Sequence, residues 1–190
     1  MSHTSESELI KLFQTEIESL GGKAYVASSS ADVSNIISDI AARSNSRLAV
    51  KQRLGIRDED KITRELMKRG VSVTELDASS FPIEMLSKTD LAITQCDMVI
   101  AQTGTLVIRT ARDEERLMSC LARVHVAVVP AGKILKNISD ATPYLREHLS
   151  NEENCTISLV SGPSRTADIE MKHILGVHGP QEVHVIVIAG

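Results

Sequence analysis

Three short polar segments of this sequence carry residue types that could bind a ligand or take part in a reaction. The first is Gln102-Thr103-Gly104-Thr105, in which glycine permits a tight turn and two hydroxyls flank it. Main-chain N–H groups exposed by such a turn can hold a carboxylate or a phosphate. A plain hairpin turn is the alternative interpretation, because a strand is predicted to follow at once.

The second segment covers residues 161–170 and combines a turn, a predicted helix start and a cation. Gly162 begins a Gly-Pro turn, and either Ser164 or Thr166 could cap a helix that starts there. The N–H groups of a first helical turn form an anion site together with the helix dipole, and Arg165 could clamp the anion with two hydrogen bonds. A capped helix with solvated charges is the alternative.

Three titratable residues in and after this segment are candidates for acid–base catalysis. Asp168 and Glu170 follow the predicted helix start and could instead pair with Arg165. His178 lies between two glycines, shortly before the last predicted strand. A histidine there can titrate near neutral pH and face a crevice, although a turn histidine without a role fits the same residues.

The sequence gives little support for a metal site. Glu170-x-x-His173 matches half of a di-iron carboxylate pattern, but no second copy exists. The cysteines are Cys96, Cys120 and Cys155, and their spacing fits neither a zinc site nor an iron–sulfur ligand set. The sequence also lacks a nucleophile elbow, a P-loop and a G-x-G-x-x-G motif. No metal ligand and no chain-bound cofactor are therefore predicted.

Composition argues against nucleic-acid binding and against membrane insertion. The 190 residues carry a formal net charge of −4 and contain no Trp, two Tyr and two Phe. Both a basic footprint and aromatic stacking platforms are thus lacking. The first residues are polar and acidic, unlike a secretory signal, and no apolar run approaches the ~18 residues that cross a bilayer. Widely spaced cysteines, odd in number, lead us to expect reduced thiols and a cytoplasmic location.

The candidate residues must be positioned by helices and strands that alternate along most of the chain. The predicted strands are 23–27, 47–51, 71–76, 97–101, 106–108, 124–129, 156–160 and 183–188. The predicted helices are 9–20, 33–40, 58–69, 87–96, 113–122, 139–149 and 167–175. This alternation predicts an α/β fold with a mainly parallel sheet flanked by helices.

The pattern favours one domain over residues 1–190, with 1–22 as an N-terminal helical arm that follows a capping box at Ser5. Ligands of open parallel sheets bind beyond the carboxyl ends of the strands, so the polar segments are expected at such an edge. His125 and His184 each stand second in an apolar strand, and hydrogen-bonded, partly buried histidines are predicted there.

Four pieces of the sequence share one order and spacing with a known family. They are residues 97–107, 124–129, 161–170 and 175–185, about the second half of the chain. Together they resemble the LutC/YkgG-type lactate-utilisation proteins, the LUD-domain family. The resemblance implies a fold like that of the NagB/RpiA/CoA-transferase group. It also implies a role in oxidising L-lactate to pyruvate, beside partner subunits that carry iron–sulfur clusters. Family members often carry glutamate where this chain has Gln102, which leaves an amide in place of a base.

The leading hypothesis is a non-redox subunit of an L-lactate utilisation system that binds a small carboxylate or a phosphorylated ligand. The anion would lie between Thr103–Thr105 and Gly162–Thr166, with Arg165 as counter-ion and the three titratable residues lining the site. One alternative is a stand-alone isomerase or acyl/CoA-transferase-like enzyme that uses Glu170 or Asp168. Another is a regulatory or scaffold protein. The sequence leaves open whether the chain is an enzyme.

Overall fold

The computed structural model of the chain describes residues 4–76, 83–151, 155–166, 174–175 and 179–189. The strands are β1 (Lys23–Ala27), β2 (Leu48–Lys51), β3 (Ser72–Glu75), β4 (Leu91–Gln95), β5 (Met98–Ile100), β6 (Thr105–Thr110), β7 (Val124–Pro130), β8 (Ile134–Leu135), β9 (Thr156–Val160), β10 (Arg165–Thr166), β11 (Ile174–Leu175) and β12 (Glu182–Ile188). The α-helices are α1 (Glu6–Ser19), α2 (Ser30–Arg43), α3 (Asp60–Lys68), α4 (Ile83–Leu86), α5 (Asp113–Leu121) and α6 (Ile138–Asn151).

A six-stranded sheet with the order β1-β12-β7-β4-β2-β3 forms the centre of the fold, and we call it the large sheet. All neighbouring strands in it run parallel. The central strands β7 and β12 are buried along most of their length, as expected for apolar strands covered on both faces. The predicted α/β fold with a mainly parallel sheet flanked by helices is confirmed.

A second, small sheet has the order β8-β5-β6-β9. Strand β6 runs antiparallel to both β5 and β9, and β8 runs parallel to β5. Since β5 and β9 lie on either side of one antiparallel partner, they run in the same direction. Their carboxyl ends therefore meet at one edge of the small sheet.

The helices and the small sheet cover the two faces of the large sheet. Helices α2 and α3 bury their apolar residues on one face, against β4, β7 and β12. Helix α1 and the inner face of the small sheet cover the other face. Helix α6 packs on the outer side of the small sheet, where Tyr144 and Leu145 contact a core that includes Met98 and Ile100.

Helix α1 begins and ends as its sequence predicts. Ser5 caps the helix, because its hydroxyl accepts from the N–H of Glu8 while the Glu8 carboxylate accepts from the N–H of Ser5. Gly21 ends the helix with a φ of +86°, a conformation that glycine adopts without strain. Between these ends, Phe13 and Ile17 are fully buried in the core against the large sheet.

The helix predicted over residues 87–96 is wrong. Leu91–Gln95 is instead strand β4, an inner strand of the large sheet that pairs with β2 and β7. Its first four residues are buried, since the sheet is covered on both faces there. A short apolar run of this length has no periodicity that separates a buried strand from a buried helix.

The order of strands reverses between β2 and β4. From β2 the chain passes outward to β3, whereas from β4 it passes to β7 and then to β12 on the other side. Ligands of open parallel sheets bind in the crevice outside the carboxyl ends of the strands at such a reversal. This edge of the large sheet is therefore a second candidate position for a ligand site.

Candidate functional site

The two polar segments that the sequence singled out converge in the fold. Three hydroxyls, those of Thr103, Thr105 and Ser161, form a hydrogen-bonded chain that we call the hydroxyl cluster. The distances are 2.7 Å between Thr103 Oγ1 and Thr105 Oγ1, and 2.8 Å between Thr105 Oγ1 and Ser161 Oγ. They meet because β5 and β9 end at the same edge of the small sheet. Thr103 and Ser161 are exposed, whereas Thr105 is buried.

The Thr103-Gly104-Thr105 turn connects the antiparallel strands β5 and β6, so this segment is the turn of a β-hairpin. Gly104 has a φ of +56°, in the left-handed region. A Cβ on Gly104 would lie 2.6 Å from the main-chain nitrogen of Ile17. The turn thus packs directly on the backbone of α1. Before the turn, the N–H of Gln102 donates to the carbonyl of Lys136 at 3.0 Å, and the Gln102 side chain is exposed.

Arg165 contacts the C-terminal end of α1. Its Nη2 donates a hydrogen bond to the carbonyl oxygen of Leu20, the residue that ends the helix. Carbonyl groups at a helix C-terminus carry partial negative charge, so a guanidinium is favourable there. Gly162 allows this approach, since a Cβ on it would lie 2.9 Å from the same Leu20 oxygen. The Arg165 side chain is otherwise exposed.

The helix predicted to begin near Ser164–Thr166 is wrong. Arg165 and Thr166 form β10, which pairs antiparallel with β11 at Ile174–Leu175. The N–H of Ser164 donates to the carbonyl of Pro180 at 2.9 Å. The chain is therefore extended at Arg165–Thr166, where the start of a helix was expected. Most of the helix predicted over 167–175 lies outside the described residues, and its last two residues, Ile174–Leu175, form β11. A distant pairing outweighs the local capping signal here.

The proposed acid–base residues Asp168, Glu170 and His178 lie outside the described residues, as does the half metal motif that ends at His173. The enzyme alternative depends on Asp168 or Glu170 and so stays a prediction.

The hydroxyl cluster lies at the carboxyl ends of β5 and β9. In the large sheet, however, the nearby strand ends are amino ends. Leu20, which Arg165 contacts, is the C-cap residue of helix α1, and β1 begins three residues after it. Pro180, the partner of Ser164, lies two residues before the start of β12. The switch in strand order lies at the opposite edge, where the parallel strands end.

A polar crevice lies at that opposite edge, and we call it the switch-point crevice. It has a volume of about 260 Å³ and is lined by Gln52, Gln95, Asp97, Arg109, Ala111 and Glu115. Gln52 directly follows β2, and Gln95 is the last residue of β4. Sequence reasoning missed this site, because the helix predicted over 87–96 concealed the strand end at Gln95. A polar residue directly after a predicted strand, as at Gln52, was the available signal.

The carboxylate of Asp97 is held by two donors at the side of the crevice. It accepts the main-chain N–H of Arg109 at 2.7 Å and the hydroxyl of Tyr144 at 3.0 Å. Burial, reinforced by the negative charge of Asp97 and by this hydrogen bond, raises the pKa of Tyr144. Tyr144 therefore stays protonated and remains a donor, so the position of Asp97 is fixed.

Glu115 is held in a similar way by groups around the start of α5. Its carboxylate accepts the N–H of Ala111 at 3.1 Å, and the guanidinium of Arg112 at 3.2 Å from Nε and 3.0 Å from Nη2. An arginine that binds a carboxylate through two N–H groups is a strong and directional partner. The negative charge of Glu115 is thus balanced locally.

A buried lysine and its carboxylate partners hold the loop that follows β2. The side chain of Lys51 is fully buried, with its Nζ 3.1 Å from Glu75 and 3.5 Å from Glu59. Glu59 also accepts the N–H groups of Leu54 and Gly55 at 2.9 and 2.8 Å. Burial by itself would raise the pKa of Glu59, but these N–H donors and Lys51 outweigh it and hold that pKa below its ordinary value. The loop that presents Gln52 is therefore firmly held.

The thiol of Cys96 is not an available nucleophile. It is buried and donates to the carbonyl oxygens of Met98 and Val107. Burial, with a smaller contribution from Asp97, raises the pKa of Cys96 to about 12. The thiolate, which is the reactive form, is therefore suppressed at neutral pH.

His125 and His184 are buried in the large sheet, as structural histidines. His125 Nε2 lies 2.9 Å from Thr94 Oγ1, and burial lowers the pKa of His125 to about 4. His184 lies between Tyr25, 3.2 Å from its Nδ1, and Glu182, 3.0 Å from its Nε2. Burial also lowers the pKa of His184, although Glu182 opposes the shift. The prediction of hydrogen-bonded, partly buried histidines is confirmed for His184, which has a partner at each ring nitrogen. It is only half right for His125, whose Nδ1 is buried without a hydrogen-bond partner among the described residues, and both rings are more buried than expected.

The described residues contain neither a candidate metal site nor a helix that could span a membrane. Within them, no three side chains among His, Cys, Asp and Glu are grouped so that they could hold a metal ion. None of the helices in that part of the chain combines the length and the apolar character needed to cross a membrane.

Comparison with known proteins assigns the chain to a family. The family model described as LUD domain matches residues 10–188. The chain belongs to the LUD domain family. The resemblance seen in the sequence is therefore confirmed, and it extends into the first half of the chain.

Several curated relatives of this LUD-domain chain carry the name "Lactate utilization protein C". The protein from Anoxybacillus flavithermus is 33% identical over 123 residues, which are 65% of this chain and 54% of that protein. The Bacillus subtilis protein is 30% identical over 133 residues, 67% of this chain and 55% of that protein. The aligned region thus spans about half the length of these relatives.

A solved structure has the same fold. It is the crystal structure of a DUF162 family protein from Deinococcus radiodurans, with a TM-score of 0.66 and 19% sequence identity. The superposition covers 98% of this chain and 99% of that one. At this identity the likeness concerns the architecture alone.

Proposed function

We propose that this LUD-domain chain serves in lactate utilisation, as a non-redox subunit that binds a small carboxylate. The observation that carries the proposal is the similarity to proteins named "Lactate utilization protein C". Oxidation of L-lactate to pyruvate releases two electrons, and iron–sulfur partner subunits in the cytoplasm would accept them. This chain would bind no cofactor of its own.

The ligand would lie between the hydroxyl cluster and Arg165. Thr103 and Ser161 present exposed hydroxyls that can donate to a carboxylate, and the exposed guanidinium of Arg165 supplies positive charge. Arginine has five N–H donors, so the bond to Leu20 does not exhaust it. The charge of Arg165 also offsets the partial negative charge at the end of α1, which would otherwise repel an anion.

Replacement of Arg165 tests this placement. Calorimetric titration with L-lactate and with pyruvate is expected to show about tenfold weaker binding to Arg165→Ala than to the native chain, because a charge-assisted hydrogen bond is lost. Thr103→Val, which removes an exposed hydroxyl at nearly constant volume, is expected to weaken binding in the same direction.

The matched control is Arg43→Ala. Arg43 is also an exposed arginine with a single hydrogen bond to its neighbours in the described structure, to the Tyr25 hydroxyl at 3.4 Å, and it lies on α2. Thermal unfolding of each variant shows whether the loss of the bond to Leu20 has loosened α1. Equal affinities of native chain, Arg165→Ala and Thr103→Val for both acids would contradict the proposed site.

A further inference from the structure

We propose that the switch-point crevice is a second binding site, for a small uncharged molecule that carries several hydroxyl groups. This proposal does not rest on the role in lactate utilisation. It rests on the position of the crevice, on two side-chain amides that line it, and on the balance of its charges.

The crevice lies where the fold itself leaves an opening. The N–H of Gln52 donates to the carbonyl of Ile93 at 2.9 Å, which holds the end of β2 against β4. Beyond this contact the chain leaves β2 and β4 in opposite directions. Crossover connections therefore diverge above the sheet, and a hollow remains between them. Arg109 from β6 and Glu115 from α5 form its other walls.

Two amides supply the recognition. Among the residues that the structure describes, neither Gln52 nor Gln95 has a hydrogen bond from its side chain to a neighbour. Each amide offers two N–H donors and a carbonyl acceptor. A hydroxyl is both a donor and an acceptor, so a molecule with adjacent hydroxyls can satisfy both amides at once. Gln52 is half-buried and Gln95 is exposed, which places one at the wall and one at the rim.

The charged residues at the crevice favour a ligand without a net charge. Asp97 and Arg109 both line the crevice and carry opposite charges, and Asp97 accepts the main-chain N–H of Arg109; Glu115, the other carboxylate of the lining, is paired with the Arg112 guanidinium. The formal charges of these four side chains sum to zero. A charged ligand would therefore lose hydration without gaining a counter-charge. An uncharged ligand avoids that cost and needs only hydrogen bonds. The volume of about 260 Å³ fits a chain of a few hydroxylated carbons.

The crevice and the hydroxyl cluster are separate sites. Thr105 begins β6 and Arg109 is the fifth residue of the same strand. At about 3.3 Å per residue, roughly 13 Å of strand separates them. Substitutions at one site can therefore be made without contact with the other.

The test is titration of the intact chain with xylitol, with L-lactate and glycine as charged and zwitterionic comparators. Xylitol is expected to bind the native chain, and Gln52→Leu and Gln95→Leu are each expected to weaken its binding about tenfold. Gln181→Leu is the matched control, because Gln181 is an exposed glutamine at the opposite edge of the large sheet. Xylitol affinity should be unchanged in that variant and nearly independent of salt.

Three outcomes would overturn the proposal. They are no binding of xylitol, equal xylitol affinity in all three glutamine variants, and displacement of xylitol by glycine or L-lactate at lower concentrations than its own. Thermal unfolding checks that the leucine variants are folded, and the exposed position of Gln95 keeps the test available if Gln52→Leu is unstable. Arg165→Ala distinguishes the sites: it should weaken lactate binding and leave xylitol binding intact.

Discussion

Gly104→Ala is expected to lower the free energy of unfolding by about 3 kcal/mol. A left-handed conformation costs a residue with a Cβ about 1 kcal/mol, and overpacking adds about 1 to 3 kcal/mol. The added methyl group would meet the main-chain nitrogen of Ile17 at 2.6 Å and the carbonyl carbon of Glu16 at 2.8 Å. Main-chain atoms inside a helix cannot turn away as a side-chain end can. The variant must therefore shift α1, which buries Phe13 and Ile17 in the core.

Gly70→Ala is the matched control for this effect. Gly70 also has a positive φ, +79°, but a Cβ on it would meet no atom within 4 Å. Replacement of Gly70 by alanine should lower the free energy of unfolding only by the cost of the left-handed conformation, about 1 kcal/mol. Urea unfolding of both variants gives the two free energies. Similar losses in the two variants would show that the contact between the Thr-Gly-Thr turn and α1 contributes nothing.

The fold could be predicted from the sequence wherever the signal is local. The capping box at Ser5 and the Gly21-Gly22 pair mark the two ends of α1, and both are observed. The apolar strands at 124–129 and 183–188 were expected at the centre of the sheet and lie there. These features depend on neighbouring residues, whose preferences the sequence displays directly.

Elements that depend on distant partners were predicted wrongly. Leu91–Gln95 forms a strand because β2 and β7 lie on either side of it, and its local pattern fits a helix equally well. Arg165 follows a turn that could cap a helix, yet it pairs with Leu175 in a short antiparallel ladder. In both places, tertiary pairing overrides a weak local preference.

The candidate sites divide in the same way. The position of the hydroxyl cluster could be predicted from the sequence, because its residues lie in two short polar segments. The family resemblance includes both segments and so indicated one shared site. The switch-point crevice was not, since Gln52, Gln95 and Arg109 come from three separate elements. Only the order of strands brings them together, and that order is set by the packing of the whole sheet.

Acid is expected to destabilise the fold through its buried histidines. In the unfolded chain a histidine has a pKa near 6.5, whereas burial lowers the pKa of folded His125 to about 4. Between these values the unfolded chain binds a proton that the folded chain does not. The contribution of His125 is therefore fully present above pH 6.5 and is lost as the pH falls toward 4. A shift of this size corresponds to about 3 kcal/mol.

The measurement is urea unfolding at several pH values between 7.5 and 4. The interval from pH 6.5 to 5 isolates histidine, because the carboxylates with lowered pKa, such as Glu59 and Asp90, take up protons only at lower pH. His125→Gln should flatten the loss of stability in this interval, since an amide can bond to Thr94 and does not titrate. His184→Gln should reduce the pH-dependent loss of stability that remains after His125 is replaced, because burial lowers the pKa of His184 as well. An unchanged slope in His125→Gln would mean that this imidazole stays neutral in the unfolded chain too or is protonated in both states. Protonation in the folded chain would contradict the burial of His125 in β7, which lies between β4 and β12.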